Sequence, residues 1–106
     1  MDNKILTPEL EQILLNDGYF ELKEVNGKVN GLFKFAFTIG LVCNLKIRNG
    51  YSEYEYRYCY PYEKTQECLL AHKVFNGIGD PIGGWVKQKG GGIDRINPAI
   101  ADNWIT

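Results

Sequence analysis

The residues from 85 to 95 combine side chains and backbone that suit the binding of a small anion. In an extended chain, alternation places Trp85, Lys87 and Lys89 on one face, so an aromatic ring and two ammonium groups point the same way. Gly90–Gly92 follow directly, and glycine lets a ligand approach the backbone closely. Basic and aromatic groups together can hold an anion and stack on a planar ring. We therefore predict a binding site for a small anionic or aromatic ligand in this segment.

Three further residues extend this candidate site. Arg95 supplies a planar guanidinium that can bind a carboxylate or phosphate through two hydrogen bonds. Asp80 and Asp94 are the possible polar partners of the cations. The alternative is that Trp85 packs in the core and the charged groups are ordinary surface residues. The sequence leaves both interpretations open.

Two other patterns are weaker indications of chemistry. Cys68 and His72 are four residues apart, so on one helix face they could form a thiolate–imidazole pair or half of a metal site. The chain has one histidine, which argues against a histidine-rich metal centre, and we predict buried structural roles and neither metal nor cofactor. The glycine-rich stretch 77–84 lacks the spacing of a phosphate-binding loop and is predicted to form turns.

The composition limits the classes of partner. The 106 residues carry 12 basic and 13 acidic side chains, and a net charge of −1 disfavours nucleic acid and anionic membrane surfaces. No apolar run reaches the roughly 18 residues of a membrane span. The first residues lack the basic-then-apolar order of a signal peptide. An odd set of three cysteines suits a reducing compartment, so we expect a cytoplasmic protein.

The elements that must position these groups centre on a row of tyrosines at every second position. A period of two places all of them on one face of a β-strand. The residues between them are mostly polar, which predicts a half-buried strand in an antiparallel sheet with one solvated side. The row consists of Tyr54, Tyr56, Tyr58, Tyr60 and Tyr62.

The strand before this row is predicted to pair with it. Leu32–Arg48 alternates apolar residues on one face, and Asn49-Gly50 is a two-residue hairpin turn. Because Arg48 then opposes Tyr51, the numbers of paired residues add to 99. A slip of one residue would destroy the pairing of apolar side chains. The predicted pairs are Leu45–Tyr54, Cys43–Tyr56, Leu41–Tyr58, Ile39–Tyr60 and Phe37–Tyr62.

Two helices and two short strands complete the predicted fold. One helix begins at Thr7-Pro8-Glu9 and ends at Asp17-Gly18; the other covers Glu63–Asn76 and ends at Gly77. The two strands are Tyr19–Val25 and Trp85–Lys89. The first of them is followed by a turn at either Asn26-Gly27 or Asn30-Gly31. Near the end of the chain, Asn97-Pro98 can cap a last helical turn that ends near Trp104. The expected architecture is a single α+β domain over residues 1–106. It has two layers, with an antiparallel sheet of three to four strands and the two main helices on one face.

The last quarter of the chain resembles small orphan proteins of phages and integron gene cassettes. The likeness is carried by Asp80-Pro81, Gly84-Trp85-Val86-Lys87, Lys89-Gly90, Asp94-Arg95 and Asn97-Pro98. It implies an accessory role in a bacterial mobile element. It supplies no catalytic residues, because such proteins mostly have no assigned activity.

These observations favour a non-enzymatic binding or interaction module. The first alternative is a small enzyme whose polar groups would be Asp80, Lys87, Asp94 and Arg95. The second alternative is a nucleic-acid-binding module. So many aromatic residues in a short chain can leave an apolar patch or a sheet edge exposed, and for that reason we expect a symmetric homodimer.

Overall fold

The computed structural model describes residues 5–89, with side chains up to Lys87. The strands are β1 (Phe20–Val25), β2 (Lys28–Lys34), β3 (Thr38–Cys43), β4 (Lys46–Arg48), β5 (Tyr51–Glu53), β6 (Tyr56–Pro61) and β7 (Val86–Lys89). The helices are α1 (Pro8–Asn16) and α2 (Thr65–Val74), and a short 3-10 helix over Tyr62–Lys64 leads into α2. Within the described residues, neither helix has the length and apolar character needed to cross a membrane.

The helix signals act as the sequence predicts. Thr7 is the N-cap of α1, and its hydroxyl accepts a hydrogen bond from the backbone N–H of Leu10 at 3.2 Å. Pro8 occupies the first turn, where its missing N–H costs nothing. Gly18 follows the helix with φ +105°, a conformation that glycine adopts without steric cost.

Among residues 5–89 the main sheet is antiparallel and has the order β1-β2-β3-β6-β7, so it has five strands and not the predicted three to four. The β1–β2 turn is Asn26-Gly27, with φ values of +51° and +75° that suit a tight hairpin. Asn30-Gly31, the competing turn, lies inside β2. Strand β7, predicted as Trp85–Lys89, joins the same sheet beside β6. The additional strand arises because the predicted strand Leu32–Arg48 divides into β2 and β3.

The predicted long strand Leu32–Arg48 is wrong, because the chain is interrupted twice. The Phe35 N–H donates to the Thr38 carbonyl at 2.8 Å and closes a turn between β2 and β3. Asn44 has φ +61°, which ends β3 and separates β4 from the main sheet. As a result, β4 and β5 form a two-stranded sheet of their own.

The predicted register is confirmed on both sides of that interruption. Leu41 pairs with Tyr58, and the pairing of β3 with β6 runs from Thr38–Pro61 to Cys43–Tyr56. The same register recurs between β4 and β5, where Arg48 opposes Tyr51. Phe37 and Tyr62 lie outside the paired strands, and Phe37 is 68% exposed. The turn at Asn49-Gly50 therefore sets the pairing, whereas Asn44 limits the length of the continuous ladder.

The prediction that one side of the sheet is solvated is wrong, and so is the prediction that both helices lie on one face. Neighbouring residues of β3 point to opposite faces: Leu41 belongs to one apolar cluster and Val42 to another, and both are fully buried. The α2 cluster includes Ile39, Leu41, Tyr58, Tyr60, Cys68, Ala71 and Phe75. The α1 cluster includes Leu14, Tyr19, Val29, Val42, Leu45 and Tyr54. The helices thus cover opposite faces, which gives three layers and not two.

The tyrosine row divides between these layers. Tyr58 and Tyr60 are buried on the α2 face, and Tyr56 packs beside them. Tyr54 belongs to the α1 cluster, because the ladder is broken between it and Tyr56. Tyr62 starts the 3-10 helix and is 45% exposed. Only the middle of the row therefore forms one face of the main sheet.

Candidate functional site

Three of the predicted site residues meet around Tyr58. The ring of Trp85 contacts the ring of Tyr58 edge-on, with centroids 4.6 Å apart. Lys87 lies opposite Tyr58 in the β6–β7 ladder, and its Nζ is 4.5 Å from the centroid of the Tyr56 ring and 5.6 Å from that of Tyr58. Asp80 lies 3.8 Å from the Lys87 ammonium and 3.4 Å from the Tyr58 hydroxyl. The result is a cation held over two tyrosine faces with a carboxylate beside it.

The loop between α2 and β7 is tied to the sheet by polar groups of aromatic side chains. The Tyr60 hydroxyl donates to the Ile82 carbonyl at 2.6 Å. The Trp85 Nε1–H donates to the Pro81 carbonyl at 2.7 Å, so this indole is half-buried and satisfied within the loop. Buried tyrosine and tryptophan normally find such partners. These bonds hold Asp80 and the start of β7 in place.

A cavity of about 180 Å³ opens beside Lys87. We call it the lysine–tyrosine pocket, and it is lined by Lys28, Cys43, Asn44, Glu55, Tyr56, Tyr58, Phe75, Gly77, Gly79 and Lys87. At roughly 30 Å³ per water molecule, it has room for about six waters, which is less than the space of a drug-sized site. Lys28 and Lys87 bring two positive charges to it, and Glu55 brings one negative charge at an exposed position.

A buried amide lies next to the wall of this pocket. Asn30 is fully buried, and its Oδ1 accepts the backbone N–H of Asn44 at 3.2 Å. That bond assigns the amide orientation, because only the oxygen can accept. The Nδ2 has no hydrogen-bond partner among the described residues. A Cβ placed on Gly77, a wall residue, would be 3.8 Å from this nitrogen, so the free donor lies close behind the wall at Gly77.

The thiol and the phenol in the pocket are held in their protonated forms. Burial raises the pKa of the Cys43 thiol to about 12, although Lys28 and Lys87 act in the opposite direction. Burial also raises the pKa of Tyr58, and the nearby Cys43 and Asp80 add to that shift. A neutral thiol is a poor nucleophile, and a neutral phenol donates hydrogen bonds. The pocket therefore presents two lysine cations beside neutral thiol and phenol groups and the carboxylate of Glu55.

The remaining predicted site residues lie partly or wholly outside the described range. The backbone of Lys89 pairs with Tyr56 at the end of β7. Arg95 and Asp94, together with Gly90–Gly92 and the predicted turn near Trp104, lie outside the described residues.

Sequence reasoning missed the part of the pocket that β2 and β3 contribute. Lys28 and Asn30 are two apart in β2, so they share a face, and Asn30 pairs with Cys43 in β3. In a strand that continues unbroken to Arg48, alternation would place both of them on the face opposite to Cys43 and Tyr56. The turn between β2 and β3, which was not predicted from the sequence, brings them to the same face as Tyr56.

The Cys68–His72 pair does not form a reactive couple. Burial raises the pKa of the Cys68 thiol to about 12, and its Sγ lies 3.9 Å from the Ile39 carbonyl. The Nε2 of His72 lies 2.5 Å from the Glu21 carbonyl, so each side chain is directed to its own backbone partner. Within residues 5–89, no group of three or more histidine, cysteine or acidic side chains is placed to hold a metal ion.

Comparisons of the chain with protein-family models, with curated proteins and with solved structures found no match.

Proposed function

We propose that this protein is a non-enzymatic binding module and that the lysine–tyrosine pocket takes a small carboxylate with a planar or aromatic body. The observation that carries the proposal is the set of donors around one small cavity. Two lysines line it, and the unpartnered amide of Asn30 lies behind Gly77. Carboxylates accept several hydrogen bonds and pair well with ammonium groups.

The existing partner of Lys87 can be displaced. Its distance of 3.8 Å from Asp80 is long, and the two side chains are 43% and 57% exposed, so this ion pair is weak. A ligand carboxylate between Lys87 and Lys28 would meet a second positive charge that Asp80 does not use. Tyr56 and Tyr58 also line the pocket, so the ligand body would lie beside aromatic side chains.

The protonation of the lining groups supports binding more than nucleophilic catalysis. The Cys43 thiol, with a pKa of about 12, is neutral at physiological pH, and the pKa of Tyr58 is also raised by burial. Neither group would attack a substrate or accept a proton in that state. The same groups serve a binding site well, because as neutral groups they leave the two lysines in excess over the one carboxylate, that of Glu55.

The test compares benzoate with benzamide, which has nearly the same shape and no charge. In titration calorimetry, benzoate should bind at least tenfold more tightly than benzamide, and its binding should weaken as salt is added. Lys87→Met and Lys28→Met should each remove most of that preference while leaving the thermal unfolding temperature nearly unchanged.

Lys34→Met is the matched control. Lys34 is exposed and lies at the other end of β2 from Lys28, opposite Ile39. Its replacement makes the same change of charge and should leave benzoate binding unchanged. Equal affinity for benzoate and benzamide, or equal losses in all three variants, would contradict the proposal.

A further inference from the structure

A second and larger cavity lies between the first strand and the second helix. It has a volume of about 560 Å³, within the range of small-molecule sites. The apolar part of its lining includes Leu32 and Leu69, and the polar part includes Glu21, Lys23 and His72. We call it the bulge cavity, because it adjoins an irregularity in β1. It shares no lining residue with the lysine–tyrosine pocket.

The irregularity aims a backbone carbonyl at the only histidine of the chain. The pairing of β1 with β2 shifts between Phe20 and Lys23, and Glu21 within that bulge has φ +51°. A positive φ is uncommon for glutamate, and such positions concentrate at functional sites, as bulges do. In this conformation the Glu21 carbonyl lies 2.5 Å from Nε2 of His72.

That contact fixes the tautomer of the imidazole. A carbonyl only accepts, so Nε2 must carry the proton, and in the neutral ring Nδ1 is then a bare acceptor. Burial lowers the pKa of His72, which keeps the ring neutral. His72 is 5% exposed, and its Nδ1 has no hydrogen-bond partner among the described residues.

The charged groups of the rim limit what a ligand can be. The Lys23 ammonium donates to the carbonyls at the end of α2, namely those of His72, of Lys73 at 3.4 Å and of Phe75 at 2.9 Å. Its three N–H groups are therefore already used. A carboxylate could not satisfy Nδ1, because both accept. A cationic ligand would meet the charges of Lys23 and Lys73, which outnumber the one negative charge in the lining, that of Glu21.

We propose that the bulge cavity is a second ligand site, specific for a neutral alcohol or phenol with an apolar body whose hydroxyl donates to Nδ1 of His72. Leu32 and Leu69 contact the apolar body, and the hydroxyl supplies the donor that the imidazole lacks. The two sites differ in charge preference, since one takes an anion and the other a neutral donor. The second site stands on its own observations, independent of the lysine–tyrosine pocket.

The test uses p-cresol and its methyl ether, 4-methylanisole, which lacks the donor. Because His72 is the one histidine, protein labelled with ¹⁵N-histidine gives imidazole resonances that need no assignment. We expect p-cresol to shift the Nδ1 resonance in a saturable way and to bind at least tenfold more tightly than the ether. An unmoved Nδ1 resonance, or equal affinity for both probes, would overturn the proposal.

Two variants separate the site from non-specific binding. Leu69→Trp should fill the cavity and abolish p-cresol binding, whereas Leu70→Trp, at a position 52% exposed on the same helix, should leave it unchanged. His72→Phe should bind p-cresol and the ether equally. If Leu69→Trp fails to fold, the comparison of p-cresol with 4-methylanisole on the unmodified protein still tests the proposal. Lys87→Met should leave p-cresol binding unchanged. A failure of p-cresol to bind the bulge cavity is therefore distinguishable from a failure of benzoate to bind the lysine–tyrosine pocket.

Discussion

Arg57 is the most unusual residue of the core, because a guanidinium group is buried there. The side chain is 2% exposed, and its Cζ lies 4.2 Å from the centroid of the Phe35 ring and 6.0 Å from that of Tyr54. One of its nitrogens donates to the Tyr54 hydroxyl at 3.1 Å. A desolvated cation over an aromatic face is stabilised by about 2 kcal/mol.

We expect Arg57→Met to destabilise the protein even though methionine preserves much of the apolar stem. The change removes the stacking on Phe35, and it takes a donor from Tyr54, worth about 1 kcal/mol as a hydrogen bond. Relief from burying a charge offsets part of this loss. A net loss of about 2 kcal/mol would lower the unfolding temperature by about 8–16 °C in a domain of this size.

A double-mutant cycle isolates the interaction with Phe35. The free energies of unfolding of Arg57→Met, Phe35→Leu and the double variant, measured by chemical denaturation, should give a coupling energy of about 1–2 kcal/mol. Arg48→Met is the control, since that side chain is 66% exposed beside Glu53 and its loss should cost at most about 1 kcal/mol. A coupling energy near zero would refute the assigned role of the stack.

Two further outcomes follow from burial. Leu41→Ala should lower the free energy of unfolding by about 2–5 kcal/mol, because Leu41 is fully buried opposite Tyr58, whereas exposed Lys46→Ala should change it by about 0.5 kcal/mol or less. Equal midpoints in urea for these two variants would contradict the register. Burial lowers the pKa of His72 below its ordinary 6.5, so the unfolded chain binds more protons and stability should fall as the pH drops through about 6.5. His72→Gln should flatten this dependence of stability on pH. If the variant shows the same slope of unfolding free energy against pH between about pH 7 and 5.5, the assignment of the dependence to His72 is wrong.

The sequence predicted the pairing of strands well, because the pairing depends on local signals. The turn at Asn49-Gly50 and the alternation on either side of it determine which residues oppose each other, and Leu41 with Tyr58 follows directly. The number of layers was not predictable in the same way. Arg57 and Cys59 look like a solvated face by residue type, yet both are buried under the α1 side. Their burial depends on tertiary contacts, such as the stacking of Arg57 on Phe35, that alternation does not report.

The candidate site was predicted only in its C-terminal half. Trp85, Lys87 and Asp80 are close in the chain, and alternation places the first two on one face. The contribution of Lys28 depends on the turn between β2 and β3, which the alternation of apolar residues through this region does not reveal. The free donor of Asn30 required knowledge of its partner, Asn44, whose left-handed conformation breaks the strand.

The order of the strands has a consequence for how the site forms during folding. The ladders of β1–β2 and β2–β3 close over short turns, whereas β7 reaches β6 only after the whole of α2 and its following loop. Contacts distant in sequence cost more chain entropy to close and tend to form late. We therefore expect the strand that carries Lys87 to dock last and to detach first in local opening, before the sheet as a whole unfolds. Occupancy of the lysine–tyrosine pocket would then hold that strand against β6 and report on the final step of folding.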